Sequence, residues 1–417
     1  MKLLNVDTIE QAREKILSCV KSWTEKTKNV SLDEALDCIL AEDLFASCDI
    51  PSFRRSTVDG YAVIASDTAG ASDSIPVFLK QTSSVSMGKE ANFPIVPGEC
   101  VYVPTGGMLP SCADAVVMIE YCETAINDSE KKIISIYEAI ASGAGTAEAG
   151  EDFQNGKLLL KRGTCIRPQE TGALSAAGIT KINIFVPLTV SIFSTGDELI
   201  TPESDPGPGE IRDINTKLLK TLAVKNGYNV IASQLLPDDE TMLEITVREA
   251  LLSSDIVIIS GGSSQGEKDF TAMIIDRIAR PGVFTHGLAV KPGKPTIIGW
   301  DEKSKTLLAG LPGHPVSAMM VFKLFFGWLM ETRHVKPGIC KNIFPVPARI
   351  SCNVPGSPGR TVCLPVVLEF KNDFYTAQPV FGKAGMISTL TQSNGYIIID
   401  MNKEGLKKDE QVLVYLF

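Results

Sequence analysis

The chain has 417 residues, 44% of them hydrophobic and 21% charged, with a formal net charge of −9. These figures describe a globular protein of two to four domains. They argue against a nucleic-acid partner, because neutralising phosphates takes a basic face, but leave room for a small anion held by a few local lysines.

The first residues, MKLLNVDTIEQAREKIL, contain no long apolar run after their first charge, so they do not read as a signal peptide. The most apolar stretch, 318–330, is interrupted by Lys323 and falls short of a membrane span. It is expected to be a buried helix, and the protein is expected to be cytoplasmic, without a membrane partner. Ten cysteines form no C-x-x-C pair, and the only histidines are His286, His314 and His334. Neither a disulfide framework nor a zinc site is expected, and the cysteines read as small buried hydrophobes.

In chain order, Ile9, Ala12, Ile16, Leu17 and Val20 recur at helical spacing and predict a helix over 7–28. A second short helix is predicted over 31–41, opened by a capping box of Ser31 and Glu34. From 47 to 150, short apolar runs alternate with Gly, Pro, Ser and Asp clusters, the pattern of a small β domain. A helical piece follows over 167–178. From Val186, strands (TVSIF, NVIASQLL, DIVIIS, KTLLAG) alternate with helices over 215–226, 240–253 and 269–279 and after Pro315. That alternation predicts a parallel sheet with helices on both faces. Beyond 338 the chain returns to short strands (VPARI, VLEF, YIIID, QVLVYLF). The expected class is therefore α/β plus β. A helical or linker domain takes 1–50 and 147–185, a small β domain 51–146, a central doubly wound α/β domain 186–337 and a C-terminal β domain 338–417.

In an open parallel sheet, ligands bind at the carboxyl ends of the strands. The loops there read Ser194-Thr195-Gly196-Asp197-Glu198, then Pro237-Asp238-Asp239, then Gly261-Gly262-Ser263-Ser264-Gln265-Gly266-Glu267-Lys268-Asp269, then Leu311-Pro312-Gly313-His314-Pro315-Val316-Ser317. A glycine-rich loop lets backbone N–H groups approach phosphate, and a following helix N-terminus favours anions. Carboxylates beside such a loop repel phosphate unless a hard cation such as Mg²⁺ bridges them. Lys291 and Lys294, in KPGKP, add positive charge. Each feature has a plainer reading: Asp269 or Asp239 as a helix cap, the lysines as solvated charges, the Gly-Ser run as ordinary loop, His314 as a packing residue. Their convergence on one sheet edge favours a site for a phosphate-bearing substrate and a divalent metal.

Ten segments in order resemble the MoeA-type molybdenumtransferases and the matching E domain of gephyrin. They are SFRRSTVDGYAV (52–63), PTGGMLPSCADAVVMIE (104–120), GED (150–152), IRPQETGALSAAGI (166–179), STGDEL (194–199), PGEIRDINTKLL (208–219), SGGSSQGEKDF (260–270), HGLAVKPGKPTIIG (286–299), LPGHPVSA (311–318) and GKAGMISTL (382–390). The resemblance implies four domains per subunit and a homodimer whose active cleft is built from both subunits. It implies the reaction of molybdate with adenylylated molybdopterin, assisted by Mg²⁺, to release AMP and molybdenum cofactor. By motif it implies Asp59, Thr105, Asp152, Glu198, Asp238, Asp269, Lys291 and Lys294 as catalytic residues. Glu198, Asp238 and Asp269 would hold the metal, with Asp239 the alternative to Asp238. Thr195, Gly196, Gly261, Gly262, Ser263, Gly266, Pro312, Gly313 and Ser317 would line the substrate. Expected partners are these small molecules, a second copy of the chain and the adenylyltransferase that makes the intermediate. Ala147 stands where many members carry Arg, and Ala384 where many carry Ser. Two other functions compete: a non-catalytic gephyrin-like scaffold and a tungstate-preferring insertase.

Overall fold

The computed structural model describes residues 6–126, 132–261, 270–333, 344–371 and 373–417. The chain divides into two compact units, Asn29–Ile184 and Met1–Lys28 with Phe185–Phe417. Helix α1 covers only Ile9–Val20, opened by a capping box between Thr8 and Gln11. The helix expected over 7–28 therefore stops early, and Thr27–Ser31 is a strand. The helix expected over 31–41 shrinks to a single 3-10 turn, Leu32–Glu34. Its capping contact is present, the Ser31 N–H and hydroxyl reaching the Glu34 carboxylate at 3.3 and 2.9 Å. Propagation fails because Asp37 adopts φ 60°, which no right-handed helix can include.

Within Asn29–Ile184 a six-stranded sheet is built from β1 (Gly60–Val63), β2 (Val77–Ser84), β3 (Glu99–Val103), β4 (Ala115–Met118), β5 (Cys122–Ile126) and β6 (Lys132–Ile136). Its order is β4-β1-β3-β2-β6-β5. Alternation decides its two faces: Tyr61, Val63 and Val117 join one core, Ala62, Val101 and Val116 the other. Helix α2 (Pro168–Ala176) buries Leu174 in a separate core with Leu40, Ile166 and Ile182.

The second unit contains β7 (Thr189–Thr195), α3 (Asn215–Lys225), β8 (Asn229–Leu236), α4 (Glu240–Ala250), β9 (Ile256–Ser260) and α5 (Phe270–Ile278). It continues with β10 (Pro281–His286), β11 (Ile297–Asp301), β12 (Thr306–Leu311) and α6 (Pro315–Phe322). The sheet order is β8-β7-β9-β12-β11-β10. Alternate residues of one strand serve opposite faces. Ile256 and Ile258 pack with α1, α3 and α6, whereas Val257 and Ile259 pack with α4 and α5. This is the double winding expected. The sheet is mixed, however, not wholly parallel: β8, β7, β9 and β12 run parallel, while β11 is antiparallel to both β12 and β10. The helical run from α6 continues through a π turn, Lys323–Gly327, into Trp328–Arg333, with Phe322, Phe325 and Phe326 fully buried, as the apolar stretch predicted. Among the described residues no helix is long and apolar enough to cross a membrane.

The C-terminal strands are β13 (Val346–Ile350), β14 (Thr361–Lys371), β15 (Phe374–Pro379), β16 (Gly395–Ile399) and β17 (Gln411–Leu416). They run in the order β14-β15-β13-β17-β16, and β14 also pairs with β16, so the sheet closes on itself around Ile350, Val366, Ala377 and Ile397. The expectation that the cysteines are small buried hydrophobes holds only in part. Cys100, Cys165 and Cys363 are buried, and burial pushes the Cys363 thiol up to about 12, but Cys48 and Cys112 are exposed.

Candidate functional site

The carboxyl ends of β8, β7, β9 and β12 lie side by side in register. Thr195 is opposite Leu236, Ser194 opposite Ser260, and Ser260 opposite Leu311. The points where the loops begin are therefore neighbours, as the sequence pattern required. Gly261 shows how close the approach is: a Cβ there would stand 2.1 Å from the Thr195 carbonyl, and its φ of +112° is one that L side chains rarely adopt. Gly313 lies against it, its own Cβ position 3.8 Å from the Gly261 Cα.

Three exposed acidic side chains occupy this edge. The Asp238 N–H donates to Asp197 Oδ1 at 3.2 Å, tying the loops after β7 and β8 together. Glu198 folds back over Gly196, its Oε2 2.8 Å from where a Cβ would sit. None of the three makes an ion pair among the described residues. Asp239 is engaged differently: its Oδ1 accepts from the Met242 N–H at 2.7 Å as the cap of α4. The described residues contain no group of three His, Cys, Asp or Glu able to hold a metal. Gly262, Ser263, Gly266 and Asp269 lie outside the described residues. The exposed carboxylates of Asp197, Glu198 and Asp238 carry oxygen donors, the kind a hard cation takes.

KPGKP joins the same edge by a route the sequence did not reveal. Because β11 reverses direction, the β10–β11 connection emerges where β12 ends, with His286 paired to Ile297 and Ile297 to Gly310. The described carboxylates leave β7 and β8, four and five strand spacings from β10, roughly 19 and 24 Å. Gly293 is forced by packing, since a Cβ would meet Val321 of α6 at 2.6 Å and φ is +118°. Lys291 is exposed in the two-residue strand Val290–Lys291, which pairs with β14. Lys294 faces a cavity of about 300 Å³ that also takes in Thr8, Leu288, Arg360 and Met401. Neither Lys294 nor Arg360 makes an ion pair or side-chain hydrogen bond among the described residues. Two cations without ion pairs among the described residues therefore line one cavity. Arg360 was missed because it sits in the turn just before β14, far along the chain from KPGKP; its only signal was the turn sequence SPGRT.

The N-terminus of α6 is less open than LPGHP suggested. The Val316 N–H donates to the Ala384 carbonyl at 3.2 Å, and the His314 ring lies 3.1 Å from the Cβ position of Gly385. His314 is exposed and borders the turn at Gly385. Ser317 is buried in the first turn of α6, and the Pro312 carbonyl lies 3.5 Å from the Ser260 hydroxyl.

In the other unit, Asp59 and Thr105 are brought together: the Thr105 N–H donates to Asp59 Oδ1 at 2.8 Å. Asp152 is exposed on a separate turn, its N–H donating to the Ile50 carbonyl at 3.0 Å. The segment around Ala147 has no cation of its own, but Ala147 pairs across strands with Arg55, and Arg54 bridges Glu148 at 2.9 Å. Arg167 is held by Glu170 at 2.6 Å.

Three family models match in chain order: the MoeA N-terminal region (domain I and II) over residues 7–178, the "Probable molybdopterin binding domain" over 191–331 and the MoeA C-terminal region (domain IV) over 347–417. A molybdopterin molybdenumtransferase of Bacillus subtilis is 30% identical over 94% of this chain and 90% of its own length. The molybdopterin molybdenumtransferase of Haemophilus influenzae is 30% identical over 98% of both chains. The crystal structure of a molybdopterin biosynthesis MoeA protein from Pyrococcus horikoshii OT3 superposes with a TM-score of 0.84 at 30% identity, covering 99% of this chain and 100% of that one. With the fold and near-complete length shared at that identity, the chain belongs to the MoeA family, the molybdopterin molybdenumtransferases of molybdenum cofactor biosynthesis.

Proposed function

We propose that the protein inserts molybdate into adenylylated molybdopterin, releasing AMP and molybdenum cofactor. The observation that carries this reading is one sheet edge holding both kinds of group the reaction needs. Asp197, Glu198 and Asp238 stand at one part of it, and Lys294 with Arg360 at another. The cations suit a tetrahedral oxyanion, and the glycine turn at Gly261 admits a substrate close to the backbone. Glu198, Asp238 and Asp269 would hold Mg²⁺, which supplies neutralisation of the charge that develops as the phosphoanhydride breaks. The carboxylates also orient the attacking oxygen, and Lys291 steers the anion towards Lys294. Gly262, Ser263 and Gly266 would line the phosphates.

Asp59, Thr105 and Asp152 are assigned to the second half of a cleft completed in a homodimer by the other subunit. Light scattering tests this: twice the mass of one chain is expected at working concentration, and a fully active monomer would contradict it. The adenylyltransferase that makes the intermediate is the proposed upstream partner, and the cytoplasm the proposed location.

The oxyanion assignment is tested by Lys294→Ala and Arg360→Ala. Each should raise the molybdate concentration for half-maximal insertion by about tenfold, with little change in melting temperature, because both side chains are exposed and unpaired among the described residues. Unchanged molybdate curves in both variants would remove the cavity from the mechanism. Running the same titration with tungstate settles which oxyanion is preferred.

A further inference from the structure

Val6 and Thr8, on either side of Asp7, line the cavity shared by Lys294 and Arg360. Asp7 does not line it, and its side chain is only 13% exposed. Its Oδ2 accepts from Lys15 Nζ of α1 and from the Thr285 hydroxyl of β10, both at 2.6 Å. Thr285 is fully buried, and Lys15 Nζ also donates to the Phe284 carbonyl at 3.0 Å. The backbone repeats the attachment. The Asp7 N–H donates to the Gly287 carbonyl at 3.1 Å, and the Ala289 N–H donates to the Asp7 carbonyl at 2.8 Å. These two bonds bracket the buried Leu288, whose own N–H donates to the Lys294 carbonyl at 2.9 Å. A continuous run of short contacts thus leads from the Asp7 carboxylate to the backbone of Lys294.

Apolar packing already holds α1 in place, since Ile9, Ala12 and Ile16 share a core with Leu288 and Val290. Such burial is non-directional. Hydrogen bonds restrict both distance and angle, so the Asp7 contacts fix where along β10 the segment sits. As a bare charge, a carboxylate placed here works against an anion site. Lys15 offsets that charge and is committed to Asp7 and Phe284. We propose that Asp7 is a positioning residue for the oxyanion cavity: bonded to Thr285 and Lys15, it pins residues 287–289 and so sets where Lys294 stands. The inference rests on the oxyanion reading of that cavity and adds a residue that does not itself touch the anion.

The test measures insertion against molybdate concentration in the full-length protein, with a melting curve for each variant. Asp7→Ala should raise the half-saturating molybdate concentration about three- to tenfold and leave kcat near wild type. Removal of a negative charge alone would lower that concentration, so the sign separates the two effects. Thr285→Val keeps the shape and removes one of the two bonds to Asp7; it should shift the curve in the same direction, and Thr285→Ser should restore it. If Asp7→Ala fails to fold, the Thr285 pair decides. In a Lys294→Ala background, Asp7→Ala should change the requirement by less than about twofold, because its effect passes through Lys294. A general loosening of the fold would add its full effect there. An unchanged or lowered requirement in Asp7→Ala, or in Thr285→Val where that variant decides, overturns the proposal, as does full additivity with Lys294→Ala. If Lys294→Ala itself leaves the curve unchanged, the oxyanion reading falls and the proposal with it. A shift in Lys294→Ala beside an unchanged Asp7→Ala strikes the proposal alone.

Discussion

Asp238 and Asp239 stand side by side at the end of β8, and the fold gives them different work. Asp239 caps α4 through the Met242 N–H, whereas Asp238 is exposed and joined to the β7 loop through Asp197. Asp239→Ala should cost about 1 kcal/mol of stability in denaturant melts and leave AMP release near wild type. Asp238→Asn should leave the melt unchanged and slow AMP release on the order of a hundredfold. The reverse pattern would exchange the two roles. The sequence alone could not separate these neighbours, because capping depends on which carboxylate meets the helix N–H, a matter of backbone angle. Arg360 and Asn215 were obscure for a related reason. One lines the Lys294 cavity from a turn distant in the chain, and the other looks like an ordinary first helical residue until its amide contacts with Ser260 and Gly313 are seen.

At the scale of elements, the β10–β11 hairpin is the device that brings KPGKP to the sheet edge. Its tight point is Gly293. Gly293→Ala should cost about 1–3 kcal/mol through the contact with Val321 and the positive φ. It should also raise the molybdate requirement, because the hairpin must shift. A variant with wild-type melting and molybdate curves would show that the hairpin is not held there by packing. The strands and helices from β7 to β9 were legible because each carries a clean period and a clear breaker. β10 and β11 were not, since β10 opens on Pro281 and the hairpin between them is crowded with proline and glycine. The capping box at Ser31 was read correctly and overextended, because a cap starts a helix but does not supply the packing that prolongs one.

For the whole molecule, the four strand ends that the sequence placed at one edge are neighbours in register, and the KPGKP hairpin adds a fifth connection to that edge. The family follows from full-length likeness, and the chemistry proposed for it is metal insertion with loss of AMP. The direct measurement is incubation of the purified protein with adenylylated molybdopterin, Mg²⁺ and molybdate, following AMP and metal-bound pterin together. The account predicts that both appear in equal amounts, that omitting molybdate prevents formation of metal-bound pterin, and that omitting Mg²⁺ suppresses both. Binding of adenylylated molybdopterin without release of AMP under the complete mixture would contradict it and leave a non-catalytic scaffold as the better description.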